Sequence, residues 1–223
     1  MKVRLLSYTQ QAEVVCATAA KACYSQKTPS DIMDHLEQEK AGQTIDKVVG
    51  MGHHSVIEHA SYTFSLEGVS RAMTHQLVRH RLASFSQQSQ RYVSMLKADY
   101  VMPASIRSDP ALAKEFEEAM DKAWDIYRKL AEKVPAEDAR YVLPNACCTN
   151  IMVTMNAREL MHFFTLRCCN RAQAEIREAA ELMLVEVQKV SPQIFRDAGP
   201  ACVRGPCSEG ELTCGKPRRR KKE

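Results

Sequence analysis

Ala60-Ser61-Tyr62-Thr63-Phe64-Ser65-Leu66-Glu67-Gly68 alternates polar and apolar residues with period 2, the pattern of a strand with one face on a core. Just beyond it, Ser70 stands where a helix cap belongs, and the chain to about His80 reads as a helix. The same succession recurs later. Cys147-Cys148-Thr149-Asn150-Ile151-Met152-Val153-Thr154-Met155-Asn156 has strand character, Asn156 can cap, and helices follow over roughly 157–168 and 172–190. Strands and helices thus share one chain.

The flanks fill in around these two passages. Val3 to Tyr8 reads as a first strand, Gln10 to Cys23 as an alanine-rich helix, and Thr28-Pro29-Ser30 as the start of a second helix. Asp46 to Met51 reads as a helical turn ending at Gly52. Residues 82–90 are rich in Ser and Gln and read as a loop, with Arg91-Tyr92-Val93 beginning another strand. Asp109-Pro110 opens a long amphipathic helix with Leu112, Phe116, Met120, Ala123, Trp124, Tyr127, Leu130 and Ala131 on one face. Residues 198–223 carry glycine–proline turn signals, three cysteines and a basic run, and read as an irregular tail.

The chain has 223 residues, 45% hydrophobic and 26% charged, which suits one generous soluble domain or two small ones. No apolar run approaches the roughly 18 residues of a membrane span, and the N-terminus lacks a signal peptide's apolar stretch. Nine cysteines, two pairs of them adjacent, do not suit a disulfide framework and read as reduced thiols of a cytoplasmic protein. The net charge of +4 is concentrated: Lys216 to Glu223 holds six basic residues and one acid, so the body is close to neutral.

Three concentrations of polar residues stand out. Gly52-His53-His54-Ser55-Val56-Ile57-Glu58-His59 places three histidines and a glutamate within seven residues; the spacing is not that of a metal motif, and a histidine-capped helix start is the preferred reading. Gln76 to Tyr92 lies in an acid-free stretch and carries Arg79-His80-Arg81, a run of small donors, and Arg91. Arginine forks and serine hydroxyls without local carboxylates suit an anionic ligand; distant carboxylate partners or a solvated basic face are the alternative. The third runs from Asp138-Ala139-Arg140 to Asn156-Ala157-Arg158-Glu159-Leu160-Met161-His162-Phe163-Phe164-Thr165-Leu166-Arg167, where Arg158, His162 and Thr165 share one helical strip. Cys202, Cys207 and Cys214 are spaced too irregularly for a zinc ribbon, with no fourth ligand nearby in sequence, and no metal is expected.

Arg79-His80-Arg81 followed after seven residues by Ser89 resembles the signature of flavin-dependent thymidylate synthases. Gly52-His53…Glu58-His59, Gln76, Ala139-Arg140…Leu143-Pro144 and Asn156-Ala157-Arg158-Glu159-Leu160…Leu166-Arg167 match further blocks in the expected order, over about residues 1–197. The resemblance implies the α+β class: a mixed α/β single domain over 1–197 with a small, mainly antiparallel sheet and several helices, assembled as a homotetramer with shared active sites. It implies reductive methylation of dUMP to dTMP, with 5,10-methylenetetrahydrofolate as carbon donor and FAD, re-reduced by NADPH, as hydride source. Gln76, Arg79, Gln87, Gln88, Ser89, Gln90, Arg91, Arg140 and Arg167 are then the substrate positions, with Arg167 as the catalytic residue that polarises uracil. His53, Ser55, Arg79, His80, Arg81, Gln87, Asn156, Arg158 and His162 are the cofactor positions. Two positions depart from the family pattern: Ser86-Gln87 stands where many relatives have asparagine–glutamate, and His162 where they have asparagine. The competing reading is a nucleic-acid-binding module using the arginine-rich body and the basic tail; the first reading expects no nucleic-acid or membrane partner.

Overall fold

The computed structural model describes residues 1–218. The charged end of the tail, residues 219–223, lies outside the described residues, and with it most of the basic run. In chain order the regular elements are β1 (Lys2–Tyr8), α1 (Ala12–Ala22), α2 (Pro29–Asp34), α3 (Gln38–Gly50), β2 (Ser61–Ser70), α4 (Arg71–Leu77), β3 (Ala83–Gln87), α5 (Ala104–Arg107), α6 (Pro110–Ala131), α7 (Ala136–Ala139), β4 (Cys148–Asn156), α8 (Ala157–Arg167) and α9 (Ala174–Val190). Short 3₁₀ turns occupy His54–His59, Arg140–Val142, Ala201–Val203 and Gly210–Leu212. The strands form one antiparallel sheet in the order β1-β2-β4-β3. The expected mixed α/β chain with a small antiparallel sheet is therefore present. No helix of the described residues is long and apolar enough to cross a membrane.

The alternation that marks β2 is the alternation of burial: Tyr62, Phe64 and Leu66 are buried and the residues between them are not. Glu67 and Gly68 then break the phase, with Gly68 at φ +65°, a conformation that favours glycine. The shift turns Val69 and Ser70 inward, and the Ser70 hydroxyl accepts from the Met73 amide at 3.0 Å to start α4. Asn156 does the same for α8, accepting from Glu159 N at 2.9 Å, and Asp109 caps α6 by accepting from Ala111 N and Leu112 N.

The chain divides into two compact units. The first comprises Met1–Lys2, Leu66–Arg79 and Phe85–Met152. Its core is Met120, Trp124 and Cys147, with Met95, Tyr100, Phe116 and Leu143 packed around them. The Trp124 indole N–H donates to the Met95 carbonyl at 2.9 Å, and the Tyr127 hydroxyl accepts from Met95 N at 3.0 Å. The second unit comprises Val3–Ser65, His80–Ser84 and the chain from Val153 onward. Its core is aromatic: Tyr62 meets Phe195 edge-on at 5.2 Å, and Phe164 contacts both Phe163 and Phe195. The buried Tyr62 hydroxyl donates to Ser191 Oγ at 2.7 Å.

Four sequence expectations need correcting. Residues 83–87 form β3, not loop. Ser and Gln give no apolar period, so pairing with a neighbouring strand, not local preference, decides this segment. Arg91-Tyr92-Val93 does not begin a strand: Val93 N donates to the Ser89 carbonyl at 2.9 Å and Arg91 N to Ser89 Oγ at 3.2 Å, which closes a turn. The turn expected over 46–51 is the end of a full helix, α3, whose inward face is only Ala41, Gly42 and Ile45. Leu112 on α6 is exposed and Phe116 only partly buried, so the buried stripe begins at Met120.

Candidate active site

Helix α4 ends at Leu77, and His80 lies beyond it with 4% of its surface exposed. Its ring meets Phe163 edge-on at 4.9 Å and His162 at 5.7 Å. Nδ1 lies 3.1 Å from Glu159 Oε1, and Nε2 lies 3.2 Å from Nε of Arg167. An arginine Nε–H can only donate, so His80 Nε2 accepts and the imidazole proton sits on Nδ1, donating to Glu159. Burial pulls the histidine below its ordinary pKa; the Glu159 hydrogen bond opposes this and the Arg167 charge adds to it. The His80–Glu159 contact is thus a hydrogen bond that a neutral ring donates to the carboxylate. Burial also lowers the pKa of Arg167 itself. Arg167 ends α8 and His80 follows α4, so elements distant in sequence fix one guanidinium.

The same helix supplies one wall of a cleft of about 680 Å³ within the second unit. Arg158, His162 and Thr165 line it, as the helical strip predicts. Arg158 pairs with Glu58 of the 3₁₀ turn. That turn does not have the expected histidine cap: His53 precedes it and makes no side-chain cap bond. His54, not His53, lines the cleft; His53 borders a separate cleft of about 1010 Å³ with Lys21, Lys27, Lys40 and Lys47. Ser55 is exposed on the turn, and Asn156 is engaged as the α8 cap. Sequence reading missed Arg196 and Arg204 of this cleft. Arg196 pairs with Asp46 at 2.7 Å. Arg204 donates to Thr165 Oγ1 at 2.6 Å and to the Asp197 carbonyl at 2.9 Å. No periodicity marks Arg204, because the segment that carries it has no regular structure longer than a 3₁₀ turn.

The first unit holds Gln76, Arg79, Gln87, Gln88, Ser89, Gln90, Arg91 and Arg140; the second holds His53, Ser55, His80, Arg81, Asn156, Arg158, His162 and Arg167. In the first unit, Arg91 lies 2.8 Å from Glu137, so the distant-carboxylate alternative is realised there, and its guanidinium sits 5.5 Å from the centre of the Tyr92 ring. Arg140 Nε donates to the Glu137 carbonyl at 3.3 Å. The Gln87 amide donates to Thr74 at 3.0 Å and Thr149 at 3.4 Å, and the Gln90 amide donates to Cys147 Sγ at 3.4 Å. Gln88 shares two hydrogen bonds with Asn150 of β4. Among the described residues the Arg79 and Arg81 guanidiniums make no hydrogen bond or ion pair, and both are exposed.

Within the second unit of this mixed α/β chain, a buried, neutral histidine orients an arginine, and Arg158, Arg196 and Arg204 line the cleft, an arrangement suited to small anionic ligands. A profile of the family described as "Thymidylate synthase complementing protein" matches residues 4–193. The chain is 52% identical over 219 residues to the flavin-dependent thymidylate synthase of Geobacter sulfurreducens, covering 97% of this chain and 94% of that one. It is 49% identical over 239 residues to that of Clostridium tetani (100% and 96%) and 40% identical over 222 residues to that of Pyrococcus abyssi (95% and 91%). The chain belongs to the flavin-dependent thymidylate synthase family.

Proposed function

We infer that this chain is a flavin-dependent thymidylate synthase, an FAD-dependent enzyme that methylates dUMP to dTMP. The observation that carries the site assignment is the buried Glu159–His80–Arg167 chain of hydrogen bonds. It fixes the direction of a guanidinium beside which a uracil can be held, and a fixed cation stabilises negative charge that develops on the ring. C5 then gains electron density without an attacking thiol. The cysteines suit that reading: burial pushes Cys16 and Cys168 up to about 12, so both stay protonated and unreactive.

The residues fit FAD. The 680 Å³ cleft lies in the size range of cofactor sites, and its donors (Arg158, Arg204, His54, His162) are those a pyrophosphate asks for. When bound, FAD supplies the hydride, with NADPH as its reductant and methylenetetrahydrofolate as the carbon source. Arg158, His162 and Arg204 would hold it by its polar groups, with Arg81, Ser55 and Asn156 as further cofactor positions of the second unit and Arg79 and Gln87 as those of the first; His80 acts through Arg167, and His53 borders the other cleft. Gln76, Arg79, the 87–91 segment with Gln88, Ser89, Gln90 and Arg91, and Arg140 hold dUMP in this reading, the segment lying at the phosphate. Homotetrameric assembly with shared sites is part of the same reading, and the cytoplasm suits a chain of nine cysteines. The relatives are named as enzymes, and nothing about them supports the nucleic-acid reading.

The test is release of tritium from C5-labelled dUMP by purified protein given methylenetetrahydrofolate, NADPH and FAD. Release that depends on FAD is expected. A protein that neither takes up FAD nor releases tritium sinks the reading.

A further inference from the structure

Four of the nine cysteines line one small cavity in the second unit. Cys169 comes from the turn between α8 and α9; Cys202, Cys207 and Cys214 come from the C-terminal segment. The cavity is about 20 Å³, enough for an ion but not for an organic ligand. All four thiols are free and partly buried. In sequence the three C-terminal cysteines lack a fourth partner; the fold brings Cys169 to them.

We propose that Cys169, Cys202, Cys207 and Cys214 form a tetrathiolate site for one structural zinc ion. Two donors already point at sulfur. The Arg218 backbone N–H donates to Cys202 Sγ at 3.3 Å, and Asn170 Nδ2 donates to Cys214 Sγ at 3.6 Å. Such bonds stabilise thiolate over thiol and orient metal-bound sulfur. Lys216 and Arg218 line the same cavity and offset the negative charge that four thiolates leave on a zinc ion. Gly215, directly after Cys214, has φ +67°, which lets the backbone fold tightly back around the sulfur.

The segment also has need of a staple. From residue 198 to 218 it forms no helix or strand beyond two 3₁₀ turns, and beyond Pro200 none of its residues is buried. The polar contacts that fasten it, Arg204 to Thr165, Glu209 to Arg171 and Arg218 to Glu181, give it no core, and a metal is one of the staples that stabilise such segments. Among the described residues no group of three or more His, Cys, Asp or Glu side chains already stands ready to hold a metal. The sulfurs must therefore turn inward on binding. The Cys214 thiol, which donates to the Lys216 carbonyl at 3.7 Å, gives up its proton when it does so. The balance is simple: one Zn²⁺ and four thiols give four Zn–S bonds and four released protons, with no change of oxidation state.

The full-length protein, purified in reductant without chelator, is expected to carry about one zinc ion per chain. Stripped with a chelator and refilled with Co²⁺, it is expected to show intense sulfur-to-cobalt charge-transfer absorption. Cys169→Ser and Cys207→Ser should each abolish stoichiometric zinc, while Cys23→Ser, at the exposed end of α1, should retain it. Stripping the wild-type protein should make residues 198–218 sensitive to protease, which tests the site without a variant that fails to fold. Reduced protein that takes up neither Zn²⁺ nor Co²⁺ overturns the proposal. So does a non-reduced mass lighter by two hydrogens for each disulfide among these cysteines, and so does unchanged proteolysis after stripping. FAD uptake and dUMP turnover, measured on the same samples, report the enzyme reading separately.

Discussion

Arg167 takes its direction from a neighbour that must stay uncharged. Were His80 to gain a proton, Nε2 would set a donor against the Arg167 Nε–H and a cation against a cation. Its pKa already lies below the usual 6.5 because the ring is buried. The unfolded chain therefore binds this proton before the folded one does, and stability falls as pH drops below about 6.5 toward the folded value. Thermal melts of the wild-type protein should show that acid slope, and His80→Gln, which cannot titrate, should flatten it. Glu159→Gln removes the group that holds the pKa up, so the acid limb of the kcat profile should move to lower pH. Arg167→Ala should cut kcat by about 10²–10³-fold while leaving FAD affinity within a few-fold, read by tritium release and flavin fluorescence. Unchanged turnover would remove Arg167 from its role. None of this coupling is visible in a linear reading: Arg79-His80-Arg81 shows a histidine between two arginines, and only burial shows that the middle residue is held neutral.

At the scale of elements, what was legible followed local rules. Strand β2 announces itself through the period-2 pattern of Tyr62, Phe64 and Leu66, and α4, α6 and α8 through Ser70, Asp109 and Asn156, because a cap is a contact between residues two or three apart. Asp109→Ala leaves two first-turn amides unsatisfied and should cost about 1 kcal/mol of stability by denaturant unfolding, with turnover unaffected. What was not legible depended on partners far away. Strand β3 has no apolar pattern of its own, and α3 buries too few side chains to stand out. Arg204 is the same kind of case at the candidate cofactor cleft. It is held against Thr165 of α8 by a hydrogen bond spanning 39 positions, from a segment whose sequence reads as a loose tail. Arg204→Ala should weaken FAD binding by about tenfold, the loss of one charge-assisted hydrogen bond, without altering the helix content of α8. An unchanged FAD affinity would take Arg204 out of the site.

At the scale of the whole molecule, the net charge of +4 misleads about where positive charge acts. Residues 219–223 carry four basic side chains and one acid, leaving the remainder at about +1. Within that near-neutral remainder the arginines divide by partner: Arg91 faces Glu137, Arg158 faces Glu58 and Arg196 faces Asp46, while Arg79 and Arg81 make no ion pair among the described residues. Paired arginines are held in position; unpaired ones add field where a phosphate can use it. If small nucleotides are the ligands, the terminal charges contribute nothing to turnover. A chain ending at Arg218 should then keep kcat and the KM for dUMP within twofold of the full-length protein, while any weak binding of polyanions that falls steeply with salt should disappear with the tail. Arg218 must stay, since its side chain reaches Glu181 and Asn170. If the shortened chain instead lost turnover at low and high salt alike, the terminal residues would belong to the site, and the division of charge drawn from the body would be wrong.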